Sequence, residues 1–215
     1  LFTTIIFKEL LENNGTKVRY LSKKPQKLSK YNTLAKHISD SLLISARNLM
    51  NESDNLTAEL FVKLMGAMDT IPGTWSTGID SIKSFLSSEV EIDTSQIKLA
   101  DGSGVSRYTL TNSDQLVSLL SWAYKSQYKN DFISTLPGGG WPKSTLEKRL
   151  VKEGDKVRAK TGGLSGVRNL AGYIESPKYG PVAFSILMNG YIGSSTTYRH
   201  FQNQIVKLLK MKVKL

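Results

Sequence analysis

The first 150 residues of the chain carry hydrophobic side chains at intervals of three and four, the spacing of helices with one buried face. Capping side chains such as Thr3, Thr4 and Ser39 precede some of these segments, and glycine or asparagine follows others. The pattern predicts helices at about residues 3–13, 39–50, 56–66, 74–88 and 113–128, and a brief helix at 146–150.

The pattern changes after residue 156, where three strand-like runs follow at 157–163, 169–175 and 182–191. Residues 176–180 separate the last two runs, and so short a connection joins antiparallel strands only. A final helix is predicted at 195–210, with these residues facing the core: Phe201, Ile205, Leu208 and Leu209. Helices followed by an antiparallel sheet indicate an α+β fold.

The composition suits one globular domain over residues 1–215, because 40% of the residues are hydrophobic. Cysteine is absent, which excludes disulfides, thiolate catalysis and thiolate metal sites. We interpret the two histidines, His37 and His200, as ordinary polar side chains. We therefore predict no metal and no cofactor, and the scarcity of histidine argues against a Ser-His-Asp triad.

The formal net charge is +11, and its excess lies near the two ends of the chain. The basic positions are Arg19, Lys23, Lys24, Lys27, Lys30, Lys207, Lys210, Lys212 and Lys214. They fit either a solvated face with a frayed tail or a surface attracted to an anionic wall polymer or membrane. No nucleic-acid-binding motif accompanies them, so nucleic acid is not predicted as a partner.

Two short motifs, each unique in the chain, bear on catalysis. Ser53-Asp54-Asn55 lies between two predicted helices, and Lys160-Thr161-Gly162 lies on the first predicted strand. Acyl transfer at a peptide carbonyl needs a nucleophile, a proton relay and an oxyanion hole. A strand edge ending in Lys-Thr-Gly can pair with an extended peptide substrate and place a lysine charge and a threonine hydroxyl beside its carboxylate.

Each motif also has a purely structural interpretation. Ser53 and Asp54 are typical helix-capping residues. Lys160 to Gly163 suits a strand that ends in a turn. Neither motif decides between catalysis and structure by itself.

Longer stretches around the motifs resemble the low-molecular-mass class C penicillin-binding proteins. The similar stretches are Ser53-Asp54-Asn55-Leu56 with Ala58-Glu59, Asp101 to Arg107, Leu136-Pro137 with Gly140, Thr145-Leu146 with Arg149, Val157 to Gly162, Leu170 to Tyr173, and Phe184 to Asn189. The resemblance covers most of the chain, from about residue 39 to residue 191.

This resemblance implies an antiparallel sheet between helical layers, as in the penicillin-binding and β-lactamase-like transpeptidase fold. It also implies an extracytoplasmic serine carboxypeptidase or endopeptidase that cleaves D-alanyl-D-alanine stems or crosslinks of peptidoglycan and is acylated by β-lactams. Ser53, Asn55 and Lys160 would be catalytic. The substrate would be bound by Thr161, Gly162, Gly163, Val105 and Arg107.

Two departures accompany the resemblance. The family usually has threonine after Lys-Thr-Gly, where this chain has Gly163. The family's Ser-x-x-Lys nucleophile motif lies upstream of Ser-x-Asn, whereas the matches here, at Ser95 and Ser126, lie downstream. We therefore expect the nucleophile to lie in an N-terminal part missing from this chain. A non-catalytic wall-binding module and a serine β-lactamase remain as alternatives.

Overall fold

The computed structural model describes residues 2–19, 36–69 and 72–210. The chain divides into two units, Leu1–Ser39 and Asp40–Leu215. The first unit contains helix α1, Phe2–Asn13, as predicted from the apolar spacing. The basic positions Lys23, Lys24, Lys27, Lys30, Lys212 and Lys214 lie outside the described residues.

Six α-helices are described in the second unit, and side-chain caps fix the start of several. They are α2 (Leu42–Glu52), α3 (Asn55–Asp69), α4 (Trp75–Ser88), α5 (Ser113–Lys125), α6 (Lys129–Thr135) and α7 (Thr196–Lys210). Ser41, and not the predicted Ser39, accepts the backbone N–H of Ile44 and caps α2. Thr74 and Asn112 form capping boxes at α4 and α5.

The sheet is antiparallel and has the order β1-β2-β3. Its strands are β1 (Val157–Leu164), β2 (Val167–Ser176) and β3 (Gly180–Asn189). Ser165 and Gly166 alone separate β1 from β2, and Gly166 has the positive φ of 71° that such a tight turn needs. This hairpin places Lys160 opposite Ala171 and Gly163 opposite Arg168.

Helices cover both faces of the sheet. The face carrying Val157, Leu170 and Phe184 packs with Val206 of α7. On the opposite face, Tyr173 packs with Leu120 of α5 and with Leu136, and its hydroxyl donates to the Leu120 carbonyl. The predicted α+β class and the sheet between helical layers are confirmed.

Several local predictions were wrong for identifiable packing reasons. Helix α3 continues through Gly66 to Asp69, and the glycine serves packing instead of ending the helix: a Cβ there would lie 2.4 Å from Thr77 Oγ1 of α4. Residues 146–150 form turns, whose Leu146 and Arg149 carbonyls accept the Gly140 N–H. The predicted helix 113–128 ends at Lys125, and the separate helix α6 follows.

The buried face of α7 also differs from the prediction. Phe201 and Leu208 are exposed, whereas Gln202 and Val206 are fully buried. Gln202 is satisfied there, because its amide donates to the Arg168 carbonyl and accepts from Arg149.

Candidate active site

The two residues that connect α2 to α3, Ser53 and Asp54, have different roles. Asp54 caps α3, accepting the Leu56 N–H at 3.0 Å and the Thr57 hydroxyl. Ser53 ends α2 in a left-handed conformation, with φ 62° and ψ 49°. Its hydroxyl is not used as a cap and points instead toward the sheet, where Lys160 donates to it.

Lys160 joins the two motifs. Its Nζ lies 2.7 Å from Ser53 Oγ and 2.8 Å from the Thr161 carbonyl oxygen. Burial lowers the pKa of Lys160 to about 8, since desolvation disfavours the ammonium form. An ammonium group held between two neutral oxygens retains attraction for an incoming anion.

The outer edge of β1 is open beside this lysine. The Ala159 N–H points away from β2 and donates to the Pro137 carbonyl. Because backbone groups alternate along a strand, the N–H groups of Thr161 and Gly163 point to the same edge. No other strand of the described residues pairs with that edge beyond the Gly138–Arg158 bridge, so an extended peptide can add there.

The two glycines of β1 differ in their surroundings. A Cβ on Gly162 would meet Asn169 at an ordinary 3.4 Å, so packing within the chain does not demand glycine there. A Cβ on Gly163 would lie 1.9 Å from Nη1 of Arg168. The Arg168 guanidinium therefore occupies space that a side chain at position 163 would need.

The Asp101–Arg107 loop forms a further wall. Asp101 shapes the loop by accepting the Ser106 N–H at 2.7 Å and the Thr109 hydroxyl at 2.7 Å. Arg107 donates to the Ser165 carbonyl at 2.8 Å and so ties the loop to the β1–β2 hairpin. Val105 is half exposed in the same loop.

Glu59 anchors this loop to the helices. Its carboxylate accepts Trp75 Nε1 at 2.8 Å and the N–H groups of Gly102 and Ser103, each at 3.0 Å. Burial alone would raise the pKa of Glu59, but these hydrogen bonds outweigh burial and lower the pKa to about 2. The sequence shows Glu59 within the family-like stretch but does not reveal what it bonds.

The predicted site residues are thus brought together in part. Lys160 contacts the Ser53 hydroxyl and the backbone carbonyl of Thr161. Asn55 is exposed at the first position of α3, and no hydrogen bond joins it to this group in the described part of the chain. Arg168, which the sequence did not single out, belongs beside Gly163.

Within the described residues, the contacts of the two Ser-x-x-Lys serines are local. Ser95 lies in a short 3₁₀ turn and accepts from the Gln96 side chain, while its N–H bonds Asp93. The Ser126 hydroxyl donates to the Ala123 carbonyl at the end of α5. Among the residues that the structure describes, no three His, Asp or Glu side chains converge as a metal site requires.

Comparison with known proteins identifies similar sequences and folds. The model of the D-Ala-D-Ala carboxypeptidase 3 (S13) family matches residues 2–212. The D-alanyl-D-alanine carboxypeptidase of Actinomadura sp. (strain R39) is 36% identical over 198 residues, which are 87% of this chain and 36% of that protein.

Solved structures agree with this match. Penicillin-binding protein 4 (dacB) of Haemophilus influenzae has a TM-score of 0.82 and 29% identity, over 97% of this chain and 48% of that one. Its complex with a novel β-lactam has a TM-score of 0.82 and 28% identity, over 97% and 50%. A class A β-lactamase representative from Bacteroides cellulosilyticus shares the fold, with a TM-score of 0.60 and 20% identity over 80% of this chain and 64% of that one.

The chain therefore spans about a third of the Actinomadura relative and about half of the Haemophilus structure. The resemblance to penicillin-binding proteins drawn from the sequence is confirmed, and so is the expected type of fold.

Proposed function

The chain belongs to the D-Ala-D-Ala carboxypeptidase 3 (S13) family, and we propose that it supplies two walls of a serine D,D-peptidase active site. The walls are the Ser53–Asn55 connection and the open edge of β1. The observation that carries the proposal is the 2.7 Å contact between Lys160 Nζ and Ser53 Oγ, which unites motifs more than a hundred residues apart.

The proposed substrate is a peptidoglycan peptide ending in D-alanyl-D-alanine, laid along the edge of β1. Thr161 and Lys160 would meet its terminal carboxylate. The N–H of Gly163 would donate to the carbonyl oxygen on which negative charge develops. Val105 and Arg107 would border the bound peptide from the neighbouring loop.

In the proposed reaction, a serine outside residues 1–215 attacks the peptide carbonyl and forms an acyl-enzyme. The proton of the attacking serine would pass through the Ser53 hydroxyl, polarised by Lys160, to the leaving amine, so that Ser53 ends the step protonated. Asn55, at the start of α3, would hold the substrate amide. β-Lactams would acylate the same serine, and water would release the acyl group in the peptidase reaction.

The proposal includes an extracytoplasmic location, because the substrate belongs to the cell wall. No helix in the described ranges is long and apolar enough to cross a membrane. We also propose that the same mechanism cleaves peptide crosslinks. The basic ends of the chain would be attracted to an anionic wall polymer or membrane surface.

The test is acylation by fluorescent penicillin, together with D-alanine release from a D-alanyl-D-alanine peptide, in a protein containing the complete family sequence. Removing one preorganised catalytic contact lowers the reaction rate about a hundredfold. Ser53→Ala and Lys160→Ala should therefore each slow D-alanine release by about that factor. The matched variants Ser87→Ala and Lys152→Ala change exposed positions on α4 and in the turn before β1 and should leave the rate unchanged.

Each alternative predicts a different result. A wall-binding module would retain the peptide without labelling or release of D-alanine. A β-lactamase would turn over a chromogenic cephalosporin rapidly and release no D-alanine. Normal rates in a folded Lys160→Ala protein would exclude the proposed role of the lysine.

A further inference from the structure

Arg168 occupies the space that a side chain at position 163 would fill. It lies on β2 directly opposite Gly163, and its Nη1 is 1.9 Å from where a Cβ of residue 163 would be. A guanidinium and a threonine side chain cannot both use that space in these positions. In the described conformation the guanidinium, which is the far end of a flexible side chain, uses the space that the glycine leaves open.

The charge of Arg168 is not neutralised within the described part of the chain. Its Nη1 donates to the backbone carbonyls of Val167 at 3.2 Å and Leu164 at 3.5 Å. The ion pairs among the described residues join Lys8 to Glu12 and Arg158 to Asp155. A half-buried guanidinium bonded only to neutral carbonyls retains donors and charge for an anionic ligand.

The position of Arg168 in the sheet places its charge near the open edge of β1. Residues directly opposite in an antiparallel pair share a face, and residues two apart on a strand do so as well. Arg168 and Gly163 therefore share the sheet face of Thr161, two residues before Gly163. Lys160 projects from the other face, so cationic side chains flank the same stretch of strand from both sides.

We propose that Arg168 binds the terminal carboxylate of the substrate, in place of the hydroxyl that threonine at position 163 would supply. This assignment rests on the proposed function. A guanidinium is a planar fork that can form two parallel hydrogen bonds to a carboxylate. Arg168 is thus a specificity-determining residue for peptides, and for β-lactams, that carry a free carboxylate at this position.

The experiment compares substrates that differ only in that carboxylate. A D-alanyl-D-alanine peptide and its C-terminal amide, together with penicillin and its methyl ester, are assayed with the complete protein and with Arg168→Gln. A charge-assisted contact corresponds to roughly a tenfold to hundredfold change, so kcat/KM for the acid forms should fall by that factor, mainly through KM. The amide and the ester should change little.

Three further variants separate binding from folding. Arg199→Gln removes the same charge from the exposed surface of α7 and should leave the preference for the acid intact. Arg168→Lys keeps the charge without the fork and should fall between the parent and Arg168→Gln. Adding Gly163→Thr to Arg168→Gln should recover part of the preference, because a hydroxyl returns to vacated space.

The outcomes are distinguishable from failure of the proposed function. If the complete protein neither releases D-alanine nor is acylated, the proposed function fails and this inference fails with it. If it is active and Arg168→Gln keeps the full preference for acid over amide, only the role of Arg168 is wrong. Equal losses for the acid and the amide would also overturn that role, since they would indicate a structural effect.

Discussion

At the scale of single residues, Ser53 combines an uncommon backbone conformation with a directed hydroxyl. Few residues other than glycine adopt a φ near 62°, and those that do often lie at functional sites. Glycine would fit this turn more easily but would leave the Lys160 ammonium without its Oγ partner. A role of the hydroxyl in the reaction would therefore explain why serine occupies this strained backbone position.

The pH dependence of acylation should follow the protonation of Lys160. Burial lowers the pKa of this lysine to about 8, so its positive charge is present below that pH and is lost above it. We expect kcat/KM for penicillin acylation to fall as the pH rises through about 8. Stopped-flow measurement of the acylation rate between pH 6 and pH 10 tests this decrease, because that range extends on both sides of the lowered pKa.

Lys160→Arg provides the control, because arginine stays charged throughout this range. Its acylation rate should be lower near neutral pH, since the fork cannot reproduce the lysine geometry, but it should show no alkaline descent. A rate in the parent protein that rises through pH 8 would instead assign Lys160 the role of a base and contradict our interpretation.

At the scale of elements, hydrogen bonds connect the helices to the β1–β2 hairpin. Glu59 on α3 binds Trp75 at the start of α4 and the backbone at Gly102 and Ser103. The same loop reaches the hairpin through Arg107 and Ser165. The position of the loop relative to β1 therefore depends on a carboxylate outside the catalytic motifs.

Glu59→Gln should destabilise the protein in a pH-dependent way. An amide oxygen accepts fewer hydrogen bonds than a carboxylate and its NH₂ faces other donors, a loss of about 1–3 kcal/mol. The folded-state pKa of Glu59 is lowered to about 2, so the carboxylate contributes its stability above its ordinary pKa of 4.5 and loses it as the pH falls toward 2.

Urea unfolding at pH 7 and pH 3 tests this sign. The parent and Glu59→Gln should differ clearly at pH 7 and less at pH 3. Asp114→Asn, an acidic residue in the first turn of α5, serves as a matched acid-to-amide control. A difference that is as large at pH 3 as at pH 7 would mean that Glu59 does not act through its charge.

The sequence predicted most elements and the contact between the two motifs, but not the details that depend on tertiary packing. The short connection 176–180 was sufficient to predict that the two strands it joins are antiparallel. Gly66 was read as a helix end because a sequence does not reveal that α4 packs against that glycine. Arg168 was not predicted as a site residue, because its position opposite Gly163 depends on the strand register.

At the scale of the whole molecule, α3 carries an exposed apolar stripe. Leu56, Leu60, Leu64 and Met68 recur every four residues and are 54–82% exposed. An apolar groove of about 370 Å³ lies between helices α3, α4 and α5, lined by residues such as Phe61, Met65 and Leu119. Exposed apolar side chains grouped in this way are typical of an interaction surface.

The sheet adds a second surface prone to association. In the described part of the chain, β3 has no partner on the side away from β2 and is 10 residues long. Unpaired strand edges pair readily with other chains. The net charge of +11 opposes association, but at physiological salt charges are screened beyond about 8 Å, so apolar contact should prevail.

Residues 1–215 expressed alone should therefore associate and bind the dye ANS. Light scattering after size-exclusion chromatography measures the association, and salt should increase it. Replacing Leu60 and Leu64 with glutamate should shift the chain toward monomer and reduce dye binding, since both side chains are exposed and contribute little to the core. Ser84→Glu with Ser87→Glu adds the same charge to exposed positions of α4 and should have a smaller effect. A parent chain that stays monomeric without binding the dye would show that the α3 stripe is not an association surface.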